Sequence, residues 1–114
     1  MEFGHEKLDV YQLAIRYAGW SFQTCKHLKG SSRFARDQLL RSSQSIAQNI
    51  AEGNGKGTEP DRRRFFEIAR GSALECAATQ DLLKECECLS DGSHAKGRDM
   101  LIRIVSMLTR LGGR

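Results

Sequence analysis

Three consecutive arginines and a nearby lysine are the side chains of this sequence best suited to holding a charged ligand. Arg62, Arg63 and Arg64 are adjacent, and Lys56 precedes them in a glycine-rich segment. Guanidinium and ammonium groups neutralise phosphates, and such contacts supply much of the affinity of proteins for nucleic acids. Consecutive helical residues fan around the axis, so the three arginines cannot all face one partner. Lys56, Arg62 and Arg63 lie at the same end of the predicted fold, and we expect them to contact RNA or DNA there. The alternative is that the run is an ordinary solvated helix surface.

A polar stripe is the second candidate site. Five of its side chains recur at steps of three and four residues and so share one helix face: Gln38, Arg41, Ser45, Asn49 and Glu52. Most of the surrounding residues are apolar or small, so we expect the stripe to meet another polar surface. Ser72 and Glu75 are candidate partners for Asn49 and Arg41. We favour an interhelical hydrogen-bond network, with a subunit interface or a ligand site as alternatives.

Motifs for catalysis are weak in this sequence. The glycine-rich segment lacks the G-x-x-x-x-G-K-[ST] spacing of a phosphate-binding loop, because Gly57 separates Lys56 from Thr58. We interpret the segment as an interhelical turn followed by a helix cap. The histidines lie near termini or predicted loops, away from candidate nucleophiles: His5, His27 and His94. The sequence therefore predicts a protein that is not an enzyme, with no catalytic residue and no cofactor.

The cysteines do not form a pattern typical of a metal site. Cys86 and Cys88 lie two residues apart on a predicted helix, where their side chains would point about 200° apart, too divergent to share one zinc ion. No second Cys pair completes a tetrahedral set. We expect all four cysteines to be reduced thiols, and we expect no metal.

Composition and charge indicate one globular domain over residues 1–114. Hydrophobic residues make up 39% and charged residues 28% of the chain, and the net charge is +4. From Lys26 to Arg70 ten Lys and Arg stand against five Asp and Glu, so the middle of the chain is locally basic. No apolar run is long enough to span a membrane, and the first residues do not resemble a secretion signal. We therefore expect a cytoplasmic protein with no membrane partner.

Apolar residues recur with helical spacing in four segments that are separated by glycine clusters. We predict helices over about 6–28, 32–52, 59–88 and 96–111. Thr58, followed by Pro60 and Asp61, marks the start of the third helix. Short connections between helices of similar length favour an all-α, antiparallel up-down-up-down four-helix bundle.

Two segments of the chain resemble a known family. The first runs from Gln38 to Gly53 and contains S-I-A-Q-N-I-A-E-G; the second runs from Arg64 to Glu75 and reads R-F-F-E-I-A-R-G-S-A-L-E. Both are similar to segments of the bacterial four-helix-bundle proteins encoded in intervening sequences of 23S rRNA genes. Ala47 stands where that family often has proline, and the loop before the second helix is shorter.

The resemblance implies a bundle that assembles with itself into a ring-like homo-oligomer, a homopentamer in related proteins. Related accessory proteins of retroelements bind nucleic acid and protein partners. On the motif match, six residues are carried over as structural or interface residues: Arg41, Asn49, Glu52, Arg64, Ser72 and Glu75. The leading hypothesis is a non-enzymatic oligomer that binds RNA or DNA through basic residues. The alternative is a scaffold that presents helical faces to a protein partner.

Overall fold

Four α-helices make up most of residues 1–112, the part of the chain that the computed structural model describes. They are α1 (Asp9–Cys25), α2 (Arg33–Asn54), α3 (Glu59–Glu85) and α4 (Asp91–Leu111). Short 3₁₀ turns cover Gly4–Lys7 and Gly30–Ser32. Within residues 1–112 there is no strand. The prediction of an all-helical protein with four helices is confirmed.

The helices pack around a shared apolar core. α1 contacts α2 and α4, and α3 contacts the same two helices, with the most extensive contact between α2 and α3. Each helix contributes side chains that recur at three- and four-residue steps, as an amphipathic helix requires. The large, fully buried apolar side chains include Leu13, Tyr17, Leu39, Ile46, Ile50, Leu83, Ile104 and Leu108.

α4 begins earlier than the predicted residue 96. The hydroxyl of Ser90 accepts a hydrogen bond from the backbone N–H of Ser93 at 3.1 Å and caps the helix before Asp91. Gly92, which precedes the predicted fourth helix, therefore lies inside α4. Gly97 serves packing, because a Cβ there would stand 2.7 Å from the ring of Trp20.

α3 ends earlier than the predicted residue 88. The backbone N–H of Cys88 bonds to the carbonyl of Leu83 at 2.8 Å, and that of Glu87 bonds to Lys84 at 3.0 Å. Glu87 adopts a left-handed conformation with φ 59°. This pattern is a Schellman motif, which ends a helix. Cys86 and Cys88 thus lie in the turn after α3, and the prediction that they lie on a helix is wrong.

α1 is shorter than predicted at both ends. The chain before Asp9 forms the separate 3₁₀ turn Gly4–Lys7, and Leu8 between them has an extended backbone with ψ 127°. At the other end the helix stops at Cys25, before Gly30 takes a positive φ of 62°.

None of the helices within residues 1–112 combines the length and apolar character needed to cross a lipid bilayer.

Candidate functional site

The turn between α2 and α3 places the basic residues at one end of the bundle. The hydroxyl of Thr58 accepts a hydrogen bond from the backbone N–H of Asp61 at 3.4 Å and caps α3, which begins at Glu59. The three arginines therefore fall in the first two turns of α3. Gly53, near the end of α2, lets α3 approach closely. A Cβ at Gly53 would meet the ring of Phe66 at 2.9 Å.

Arg62 is held by the fold. Its Nη1 donates to the backbone carbonyl of Asn54 at 3.2 Å, and its Nε lies 3.7 Å from a carboxylate oxygen of Glu59. The guanidinium also stands 5.6 Å from the centre of the Phe66 ring. These contacts join the end of α2 to the start of α3, so Arg62, one of the three predicted phosphate ligands, has a structural task.

Arg63 and Arg64 are both exposed. Within residues 1–112 the Arg63 side chain has no hydrogen bond or ion pair. The Arg64 guanidinium lies 4.9 Å from the centre of the Phe65 ring, and the Lys56 ammonium lies 5.0 Å from the same centre. Lys56 also pairs with Glu52 at 3.4 Å. Three cations thus surround the ends of the two helices, and none of them is buried.

A groove borders this basic end. It has a volume of about 820 Å³ and lies between the last turns of α2 and the start of α3. Its lining is about equally polar and apolar and includes Gln48, Asn49, Glu52, Lys56 and Phe65. The half-buried Phe65 ring forms its aromatic part. We call this the Phe65 groove.

The predicted polar stripe meets α3 through short hydrogen bonds. The hydroxyls of Ser45 and Ser72 are 2.9 Å apart, and Asn49 Nδ2 donates to the Ser45 carbonyl at 2.8 Å and hydroxyl at 3.0 Å. Ser42 donates to a carboxylate oxygen of Glu75 at 3.0 Å. We call these five residues the polar seam. It lies along the helix pair with the largest contact in the fold.

The pairing within the polar seam differs from the predicted one. Ser72 bonds to Ser45 and reaches Asn49 only through it, and Glu75 bonds to Ser42 instead of Arg41. Arg41 is exposed and bonds to Gln38 at 3.0 Å on its own helix. The remaining stripe residue, Glu52, pairs with Lys56 at the basic end.

The polar seam lies in the two segments, 38–53 and 64–75, on which the family resemblance rests. A family model described as 23S rRNA-intervening sequence protein matches residues 6–110, which is nearly the whole chain. The chain belongs to this family. The resemblance stated from the sequence is thereby confirmed.

A solved structure supports the fold of the chain. It is a protein of unknown function from the S23 ribosomal protein family of Bacteroides thetaiotaomicron, and it superimposes with a TM-score of 0.86. The two chains are 21% identical, and the match covers 92% of this chain and 99% of the other. At that identity the likeness shows the fold alone. No curated protein matches the chain.

A chain of polar contacts in the core was not predicted from the sequence. The Tyr17 hydroxyl donates to Gln80 Oε1 at 2.6 Å, and Gln80 Nε2 donates to the His94 carbonyl at 3.2 Å. The His94 ring pairs with Asp81 at 2.8 Å. His94 is therefore a buried helical residue and not a loop residue. Gln80 lies between the core positions Cys76 and Leu83, which was the available signal.

Burial makes this part of the core hard to ionise. It raises the pKa of the Tyr17 hydroxyl well above its ordinary value and that of the Cys76 thiol to about 12, because an anion there would lose its hydration. The pKa of the Cys25 thiol is also raised, again by burial. Cys86 and Cys88 are exposed. Among residues 1–112 no three His, Cys, Asp or Glu side chains are grouped so as to hold a metal ion.

An apolar groove between α3 and α4 is a second surface that was not predicted from the sequence. Its volume is about 560 Å³, and its apolar lining includes Ala73, Leu74, Leu101, Ile102 and Val105. Leu74 is 49% exposed and Ile102 is 52% exposed. We call it the α3/α4 groove. Exposed apolar side chains that adjoin one another are typical of surfaces covered by a partner.

Proposed function

We propose that the protein is a non-enzymatic homo-oligomer that binds RNA through Lys56, Arg63 and Arg64. The observation that carries the proposal is the exposed Arg63, which has no partner within residues 1–112 and stands in the first turns of a helix. A helix N-terminus is its positive end, where cations gain least from the fold. Arg63 and Arg64 stand at that position, where an anionic partner explains them better than helix stability does, and Lys56 in the preceding turn adds a third cation. DNA offers the same phosphates and is the second nucleic acid to test.

The proposal is tested by measuring binding of a labelled RNA stem-loop by fluorescence anisotropy at low salt, where the electrostatic contribution is largest. The Lys56→Ala, Arg63→Ala double variant is expected to bind roughly tenfold or more weakly than the wild type, because it loses two phosphate contacts. Arg103→Ala on α4 is the control, because Arg103 is exposed and lies outside the basic end. Absence of wild-type binding at low salt would remove the proposal.

We also infer that the helices alternate in direction in an up-down-up-down order. The connections between the helices are only residues 26–32, 55–58 and 86–90. They are too short to run back along the length of a helix, so each helix must run antiparallel to the one before it. Packing of each helix against its sequence neighbours supports the same order.

Self-association is supported by apolar side chains on two faces. Ile15 borders a groove between α1 and α2, and Leu74 and Ile102 border the α3/α4 groove. These two faces use different helix pairs, so a head-to-tail contact between copies would join unlike surfaces. Such contacts close into rings when the rotation fits, and the family resemblance suggests five subunits.

Light scattering coupled to size exclusion tests this part. We expect a mass several times the 12.8 kDa of one chain, and Ile102→Glu is expected to shift it toward the monomer. The control is Leu82→Glu, because Leu82 is 63% exposed and does not line the α3/α4 groove. A 12.8 kDa species alone at micromolar concentration would contradict self-association.

A protein-interaction scaffold is the second candidate function, and the α3/α4 groove favours it. An apolar groove between two helices suits an amphipathic helix of another protein. If this candidate holds, a partner captured from cell extract stays bound after nuclease treatment and in high salt. Ile102→Glu would release it, whereas Arg63→Ala would not.

A further inference from the structure

The Phe65 groove combines three kinds of group that a phosphate pocket would not combine. It offers an aromatic ring at Phe65, amides at Gln48 and Asn49, and a carboxylate at Glu52. A carboxylate repels phosphate but accepts hydrogen bonds from the amino groups of bases. A volume of about 820 Å³ falls in the range of small-ligand sites.

We propose that the Phe65 groove receives an unpaired nucleobase, so that the RNA bound at the basic end is single-stranded there. The inference rests on the proposed function, because Lys56 and Arg64 would hold the adjacent phosphates. Any nucleobase can stack on an aromatic ring, and stacking is a main way in which proteins recognise single-stranded RNA.

The amides of the groove are available to a base. Gln48 is exposed, and its side chain makes no hydrogen bond with any residue of 1–112. Asn49 uses its Nδ2 within the polar seam, which leaves its carbonyl oxygen as an acceptor. Gln and Asn side chains pair with the edges of bases.

Two long side chains cover the ring in the free protein. Lys56 and Arg64 stand 5.0 Å and 4.9 Å from the centre of the Phe65 ring. Arg64 is exposed and Lys56 is half-buried, and outward movement of Lys56 also breaks its 3.4 Å pair with Glu52. Because an ion pair between solvent-accessible side chains contributes little stability, both movements have a modest cost. A base entering the groove replaces them on the ring and brings phosphates within their reach. The bases of an RNA duplex are stacked on each other and cannot make this exchange.

The test compares binding of a single-stranded oligonucleotide and of an RNA duplex of equal length to Phe65→Leu and Gln48→Ala. Loss of stacking is expected to weaken binding of the single strand by roughly tenfold in Phe65→Leu. Binding of the duplex is expected to stay within about twofold, because it depends on phosphate contacts. Phe65→Trp is expected to restore binding of the single strand, and its indole fluorescence to be quenched on binding.

Two controls keep the result interpretable. Phe34→Leu removes a ring that is 79% exposed and outside the groove, and should change neither affinity. Gln48→Ala alters an exposed side chain and is expected to keep the fold even if Phe65→Leu destabilises it. A several-fold loss of affinity in Gln48→Ala that is confined to the single strand supports the proposed base site. Equal effects on the two RNAs, or none, overturn the inference while RNA binding stands. If the wild type binds neither RNA at low salt, both proposals fail.

Discussion

Arg62 and Arg63 are neighbours in the sequence but have different surroundings. Arg62 bonds to the Asn54 carbonyl and pairs with Glu59, whereas Arg63 has no side-chain partner within residues 1–112. The sequence predicts that consecutive arginines diverge around a helix. It does not predict which of them finds an acceptor, because the free carbonyl of Asn54 arises only where α2 ends against α3.

Gly97 has a packing role that a substitution can measure. A Cβ at Gly97 would stand 2.5 Å from Gln80 Oε1 and 2.7 Å from the Trp20 ring. Alanine gains about 1 kcal/mol in helix propensity, but overpacking costs about 1–3 kcal/mol, and the bond between Tyr17 and Gln80 is displaced as well. We expect Gly97→Ala to lower the free energy of unfolding by about 1–2 kcal/mol in urea titrations.

Gly71 on α3 is the matched control, because a Cβ there would meet nothing within 4 Å. Gly71→Ala is expected to raise the free energy of unfolding by about 0.5–1 kcal/mol. If both variants were stabilised, the packing explanation for Gly97 would be wrong.

The raised pKa values in the core predict how stability depends on pH. The folded protein holds the Cys76 proton up to about pH 12, whereas the unfolded chain releases it from about pH 9. The stabilisation is therefore complete below pH 9 and is lost as pH rises toward 12. Cys76→Ala should show a shallower fall in its urea midpoint above pH 9 than the wild type. Identical slopes would mean that the thiol is not buried as described.

At the scale of elements, the spacing of apolar residues predicts the number of helices better than it predicts where each helix begins and ends. The four apolar stripes are sufficient to predict four helices, because each stripe needs a neighbour to exclude water. The start of α4 was missed because Gly92 is a weak helix former. The glycine at position 97 is explained by packing, because a Cβ there would clash with Trp20 and Gln80, which lie on other helices.

The polar seam was predicted as a face but not as a set of bonds. Helical spacing shows that Ser45 and Asn49 share a side, yet which α3 residue lies opposite depends on how far the helices slide along each other. Ser72 opposes Ser45 and not Asn49. Ser42, which was not assigned to the stripe, is the partner of Glu75.

A double-mutant cycle on Ser45 and Ser72 tests whether the polar seam stabilises the contact of α2 with α3. Each single alanine variant is expected to lose about 0.5–1.5 kcal/mol, because it leaves a partner without its hydrogen bond. The double variant is expected to lose less than the sum, with a coupling of about 0.5–1 kcal/mol. Additive losses would show that the two hydroxyls, 2.9 Å apart, do not stabilise each other.

For the whole molecule, composition indicates a basic middle, and the fold gathers part of it at one end. Lys56, Arg63 and Arg64 come together because the turn between α2 and α3 is short and Thr58 fixes where α3 starts. The sequence cannot predict the Phe65 groove or the α3/α4 groove, since each depends on side chains of two helices that meet only after folding. Self-association also stays a prediction, because a contact between copies depends on surfaces that form only after each copy has folded.

The salt dependence of RNA binding tests the central claim most directly. In a plot of log affinity against log salt concentration, each phosphate contact contributes a slope of about 0.7–0.9 in magnitude. We predict that Arg63→Ala lowers the slope by about that amount, while Arg103→Ala leaves it unchanged. An Arg63→Ala slope equal to that of the wild type would contradict the account.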